Sequence, residues 1–228
     1  MKYINDRKFF CTKNRTGKIM YEKEREQVAG FMRRLYRQFL TTTSGGNISC
    51  RTADGNIAIT ASQSDKAEQS PETVGIVTLD GKSLTPDLKL SIETALHLGI
   101  YARRPDVQAI VHAHPVTATF FCCTEEKLDT HLTAEAYAMA GDVIKIPYAI
   151  MGSTELAELV AQYMTNYNCG LMENHGVITV GKSLLNAFDR MELLENAAKQ
   201  TLMARSIVCR RLSEEQLKEL DRFAGRVK

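Results

Sequence analysis

His112 and His114 stand two residues apart in "AIVHAHPVTATFF", residues 109–121, and are two of only five histidines in the 228-residue chain. The run "VQAIVHAH" reads as a β-strand, in which alternate side chains share a face. Two imidazoles on one face, about 6–7 Å apart at Cα, can close on one cation at roughly 2.0–2.1 Å each. The plain alternative is a polar strand end turned to solvent. His175, in "ENHGVI", precedes a glycine and an apolar strand; a lone histidine there caps or packs unless other ligands join it. His97 follows Glu93 by four positions on an expected helix, so the two share a face and His97 is able to approach the same site. Glu93 falls in the first turn of that helix, where the helix dipole favours a carboxylate in any case. His131 lies in a polar stretch without special context. "SGGNIS", residues 44–49, puts adjacent glycines in a tight turn, the geometry in which successive backbone N–H groups converge on an anion. Ser44 and Asn47 add side-chain donors there, although most Gly-Gly turns are only turns.

These residues need a scaffold, and the pattern around them supplies one. From Glu22 the apolar positions Val28, Phe31, Met32, Leu35, Tyr36 and Phe39 form one helical stripe, stopped by "TTTSGG". "NISCR" and "NIAIT" read as a hairpin around "TADG", and "VGIVTL" as a further strand ended by "DGK". "LSIETALHLGIYARRP" is a helix that stops before Pro105. "PVTATFFCC" is a short helix with Pro115 in its first turn. "DVIKIP" and the two halves of "GLMENHGVITVG" are strands. Helices follow at 154–165, 183–209 and 213–223, the last opening on the capping-box pattern Ser213-Glu214-Glu215-Gln216. Interleaved strands and helices with several hairpins predict one α/β domain with a mixed or largely antiparallel sheet covered by helices. Residues 1–21 are polar and aperiodic and read as an N-terminal extension to a single domain over 22–228.

The bulk numbers narrow the function classes. Apolar residues make up 44% and charged residues 25%, ordinary for a globular domain. A net charge of +2 is too small to point to nucleic acid or an anionic membrane. No run of about 18 apolar residues is present to span a bilayer, and "MKYINDRKFFCTKNRTGK" has no apolar core of a signal peptide. The six cysteines form no CxxC, and Cys122 and Cys123 are adjacent, which predicts reduced thiols in a cytoplasmic protein.

Taken in order, "SGGNIS", "AITAS", "LKLSIETALHLGIY…RPDVQAIVHAHP" and "ENHGVI" resemble the class II aldolase/adducin family, in particular its L-fuculose-1-phosphate aldolase-like branch, from about Glu22 to about residue 205. The resemblance implies a three-layer α/β/α sandwich around a mainly antiparallel sheet. It implies one zinc or another divalent ion per subunit, held by His112, His114 and His175, with Glu93 as the acid/base. It places a substrate phosphate at Ser44, Gly45, Gly46, Asn47, Ser62 and Ser91. It further implies a homotetramer with active sites between neighbours, acting on a small phosphorylated sugar without nucleic acid or membrane partners.

The implied reaction is cleavage of a ketose 1-phosphate to dihydroxyacetone phosphate and an aldehyde through a metal-stabilised enediolate. The same constellation serves a pentulose-5-phosphate 4-epimerase and an oxo-tetronate phosphate decarboxylase. Adducin-like members use the fold for assembly without the metal ligands; here all three histidines and the glutamate are present. Three departures stand out. Thr60-Ala61-Ser62-Gln63 replaces a "TPTG" turn, Ser91-Ile92-Glu93 replaces "SSE" and so loses a hydroxyl, and Phe223 stands nearest to a C-terminal tyrosine of the aldolases. Glu135, in "HLTAEAYAMAG", is the other candidate acid/base, its alternative being an exposed loop carboxylate.

Overall fold

Val28, Met32 and Leu35 recur at helical spacing, and Glu22–Arg37 folds as helix α1 with all three fully buried. Each such side chain contributes about 1.5–3 kcal/mol on leaving water. The computed structural model describes residues 20–226; the expected extension at 1–21 therefore lies, up to residue 19, outside the described residues.

The strands are β1 (Asn47–Arg51), β2 (Ile57–Thr60), β3 (Val74–Val77), β4 (Ala109–Ala113), β5 (Ile144–Ile146), β6 (Cys169–Met172) and β7 (Gly176–Gly181). They form one seven-stranded sheet in the order β3-β2-β1-β4-β7-β6-β5. Every pairing is antiparallel except β5 with β6. The histidine strand β4 is thus central, hydrogen-bonded to β1 on one side and β7 on the other. Its alternation decides the layering. Ala109, Val111 and Ala113 join the core under α1, α3 (Val116–Cys122), α4 (Ala134–Ala140) and α6 (Leu184–Met203), while Ile110 joins the opposite core under α2 (Thr94–Arg103) and α5 (Thr154–Tyr163). His112 alternates with Val111 and so faces the α2 side. This is the expected three-layer α/β/α arrangement with a mostly antiparallel sheet.

Helix starts follow side-chain capping. Ser153 accepts from Leu156 N–H, Ser183 from Asn186 N–H, and Ser213 forms the expected capping box with Gln216 at the start of α7 (Glu214–Phe223). Some boundaries differ from the sequence reading. Glu93 occupies the N-cap position of α2 rather than its first turn. Helix α6 ends at Met203, not 209. Helix α4 was not expected: it is one short segment, fixed by the Thr133 cap and closed by Gly141 at φ 69°. Glu135 therefore sits on a helix rather than in a loop, but it is solvent-exposed. Among the described residues, no helix is long and apolar enough to cross a membrane.

Candidate active site

Three segments distant in sequence deliver the imidazoles to one point. His112 is on β4, His114 lies one residue beyond it, and His175 closes the β6–β7 turn. The backbone fixes each. His114 N–H donates to Leu40 O at 3.1 Å, and His175 N–H to Met172 O at 3.2 Å. His112 Nδ1–H donates to Val177 O at 2.9 Å, which leaves its Nε2 bare. That Nε2 lies 3.2 Å from His114 Nε2. One ligand nitrogen from each of the three rings lies within 4.8 Å of the others, a set able to hold a metal ion. Neighbouring ligands of a tetrahedral ion with bonds of 2.0–2.1 Å are about 3.3 Å apart, and the 3.2 Å between His112 and His114 Nε2 matches that separation.

Glu93 meets the cluster from α2. Its Oε2 is 3.3 Å from His112 Nε2 and its Oε1 3.2 Å from His175 Nε2. Among the described residues, Oε1 of Glu93 and Nδ1 of His175 are buried without a hydrogen bond of good geometry. Buried polar atoms left this way are costly, and a cation among the nitrogens and the carboxylate would satisfy the arrangement. Burial lowers the His112 imidazole, and it holds His114 down at about 3. Both rings are therefore neutral at pH 7, the form a metal requires. Burial pushes the Glu93 carboxyl up, but a positive charge beside it at His112 and His175, together with the Asn47 amide, outweighs this and holds Glu93 well below the usual carboxylate range.

Glycines let these parts approach. A Cβ on Gly176 would lie 2.3 Å from His114 Cδ2 and 2.9 Å from Ala113 O. Gly46 has φ +70°, and a Cβ there would lie 2.6 Å from His112 O. The Gly-Gly turn thus packs on the histidine strand, a packing reason for Gly46 that is independent of any anion. Gly176→Ala is expected to displace the His114 ring and cost about 10–100-fold in metal affinity, the usual loss when a ligand's support is disturbed. Metal titration of the folded variant, checked by far-ultraviolet circular dichroism, measures this.

The other expected residues are arranged around that centre. The 61–62 turn pairs with 89–90, through Ala61 with Leu90 and Ser62 N–H to Lys89 O at 2.8 Å, which brings Ser62 beside the approach to Ser91. Ser91 Oγ accepts from Glu93 N–H at 3.3 Å. Ser44 is exposed on the Gly-Gly turn, and Gly45 N–H already donates to Thr42 Oγ1 at 3.2 Å. Asn47 pairs with His112 across β1 and β4 and is buried; its amide donates to Glu93 Oε2 at 2.7 Å. One hydrogen of that amide is therefore committed inward, to Glu93. His97 does approach the site, through Asn47 rather than directly. Ile92 and Phe223 are exposed.

Two residues escaped the sequence reading. Glu195 on α6 is buried and accepts from the N–H groups of Thr117 and Ala118 and from the Thr117 hydroxyl, at 2.7–3.3 Å. It thereby caps α3, which begins two residues after His114. Nothing in "MELLENAAK" marks that glutamate for such a role, because the partner is distant in sequence. Lys66 is buried behind the 61–64 turn, its Nζ donating to Ala61 O and Ser64 Oγ, both at 3.3 Å. Its backbone N–H reaches Thr43 O, tying that turn to the Gly-Gly turn. Burial pushes its ammonium down to about 8.

The depressed histidines carry a pH signature. His97 is held at about 3 by burial, like His114. Between pH 6.5 and 3 the unfolded chain binds the protons that these rings refuse, so stability rises with pH across that window and falls on acidification. Each ring contributes up to about 1.4 kcal/mol per pH unit. Urea unfolding of metal-free protein at pH 7, 6, 5 and 4 is expected to show this decline, with a shallower slope in His97→Gln.

Comparison with known proteins agrees with this architecture. The family described as Class II Aldolase and Adducin N-terminal domain matches residues 26–202. The 3-oxo-tetronate 4-phosphate decarboxylase of Haemophilus influenzae is 30% identical over 203 residues, covering 87% of this chain and 96% of the relative. The L-fuculose phosphate aldolase of Methanocaldococcus jannaschii is 31% identical over 180 residues, covering 79% and 96%. A solved L-fuculose 1-phosphate aldolase superposes with a TM-score of 0.82 at 28% identity, covering 88% of this chain and 95% of that one.

Proposed function

The chain belongs to the class II aldolase and adducin family, and on that premise we propose that it is a metal-dependent carbon–carbon lyase that forms dihydroxyacetone phosphate. The carrying observation is the convergence of three imidazole nitrogens on the buried Glu93 carboxylate. We take the substrate first to be a small ketose 1-phosphate cleaved in the retro-aldol direction. The second reading, decarboxylation of a 3-oxo-tetronate 4-phosphate, is favoured by the relative from Haemophilus influenzae.

The two reactions share their centre. A retro-aldol break between C3 and C4 of a ketose 1-phosphate leaves its electron pair on the dihydroxyacetone phosphate half. Loss of CO₂ from a 3-oxo-tetronate 4-phosphate leaves the pair on the carbon next to the ketone. Either way the fragment is the same enediolate, and one proton delivered to carbon makes dihydroxyacetone phosphate. Glu93 takes up a proton, from the C4 hydroxyl as the aldehyde forms in the retro-aldol direction or from water in the decarboxylation, and delivers it to carbon, an acid–base role worth about 10²–10⁴-fold. His112, His114 and His175 would hold the ion, zinc in our reading. When bound it supplies Lewis-acid stabilisation of the negative charge on the substrate oxygens. The turn 44–46, Ser62 and Ser91 receive the phosphate, with Lys66 adding positive charge from behind; Asn47 serves Glu93 with one amide hydrogen and leaves the other for the anion.

Family membership also supports a cytoplasmic homotetramer of a single domain over 22–228. The deciding experiment offers the metal-loaded protein L-fuculose 1-phosphate, 5-deoxy-D-ribulose 1-phosphate and 3-oxo-tetronate 4-phosphate and measures dihydroxyacetone phosphate, aldehyde and CO₂. Aldehyde with dihydroxyacetone phosphate supports the aldolase, CO₂ with it the decarboxylase. Dihydroxyacetone phosphate from none of them would sink the proposal.

A further inference from the structure

Behind Glu93 runs a line of buried polar side chains. On α2 and its cap, Glu93, His97 and Tyr101 recur every four residues and share a face. On β1, Asn47 and Ser49 recur at two and share a face. The two stripes meet. Asn47 Nδ2 is 2.7 Å from Glu93 Oε2, Asn47 Oδ1 is 2.5 Å from His97 Nε2, Ser49 Oγ is 2.6 Å from His97 Nδ1, and Tyr101 Oη is 2.9 Å from Ser49 Oγ. All five residues are buried. The far end is pinned by Arg51, which donates to Tyr101 O at 2.6 Å and stacks over the Tyr101 ring at 4.7 Å.

The chemistry of the atoms fixes the direction of every bond. A carboxylate only accepts, so the Asn47 amide must turn its NH₂ to Glu93. Its carbonyl oxygen then faces His97 and also only accepts, so His97 carries its hydrogen on Nε2. A neutral ring has Nδ1 bare, and that atom accepts the Ser49 hydroxyl hydrogen. Ser49 has then spent its one hydrogen, so Tyr101 donates to it. Asn47 stands between His97 and the Glu93 carboxylate, and burial outweighs the pull of that charge and keeps the ring neutral. Every donor in the line points towards Glu93.

We propose that His97 is a positioning residue that locks the Asn47 amide in this sense, so that Glu93 Oε2 is held and Oε1 is the oxygen that carries the proton. Among the described residues Oε1 accepts no hydrogen bond of good geometry, and it lies 3.2 Å from His175 Nε2 on the side of the three imidazoles. Without the Nε2–H donor, the Asn47 amide is free to turn, and its oxygen would then face the carboxylate. The inference rests on Glu93 as the proton carrier, as set out under Proposed function.

The test has two arms. In the first, the metal-loaded protein exchanges the carbinol hydrogens of dihydroxyacetone phosphate in D₂O, followed by NMR. This half-reaction is common to both donor substrates. His97→Leu should slow the rate at saturation by about 10–100-fold, the range seen for supporting groups, with KM within twofold and metal content unchanged. His97→Gln keeps an N–H donor and should recover most of the rate. In a Glu93→Gln background His97→Leu should cost nothing further, because the two act as one unit. Full, additive loss in that background, or an unaltered rate in His97→Leu, overturns the assignment. In the second arm, ¹⁵N NMR of histidine-labelled wild-type protein at pH 7, with His97 identified by its loss in His97→Gln, reports the tautomer directly. Hydrogen on Nε2 is expected, and hydrogen on Nδ1 overturns the proposal. This arm decides even if His97→Leu fails to fold or the wild type shows no exchange; the latter result would count against Glu93 as proton carrier, not against the geometry of His97.

Discussion

Glu93→Gln is expected to lower turnover by about 10²–10⁴-fold while one divalent ion per chain stays bound. The substitution keeps the shape and both heavy atoms near His112 and His175 but removes the charge and the ability to carry a proton. Three protein ligands suffice for a catalytic ion site, and the three imidazoles converge without the carboxylate. A positioned acid–base group contributes the stated range. Turnover on the best substrate of the panel, beside elemental analysis of the same preparation, measures both halves. Near-normal turnover would remove Glu93 from the chemistry; loss of the ion would make it a ligand first.

His114→Ala should remove metal and activity together. Disturbing a ligand's support costs about 10–100-fold in affinity, so deleting a ligand outright should cost at least that. The cavity it leaves borders Gly45 and Gly176, which have no side chains to fill it. Metal content after dialysis is the measurement, and full occupancy would show that His114 is not a ligand. Comparing the two variants separates holding the ion from moving the proton.

The sheet order was not legible in the sequence, but the fold class was. The alternation in "VQAIVHAH" placed both histidines on one face, and β4 carries His112 as expected. The four-residue interval between Glu93 and His97 correctly placed them on one face. It did not reveal that Asn47 would stand between His97 and the site, because that contact joins a strand to a helix 50 residues away. For the same reason Asn47, read as an anion donor from its Gly-Gly context, has its amide turned inward, and Glu195 carried no mark at all. Local periodicity reports which face a residue occupies. It does not report what the neighbouring layer will present to that face.

The central position of β4 also governs when the site comes into being. Its flanking strands, β1 and β7, lie far apart in the chain, and closing such long loops is entropically costly and slow. The three histidines therefore come together only after the middle of the sheet has assembled. The buried core on both faces is large and apolar, unlike that of small metal-dependent domains that are unfolded without their ion. An ion would thus be loaded into a finished pocket rather than act as a folding template, and a chain synthesised where the metal is scarce would wait, folded and inactive, for it.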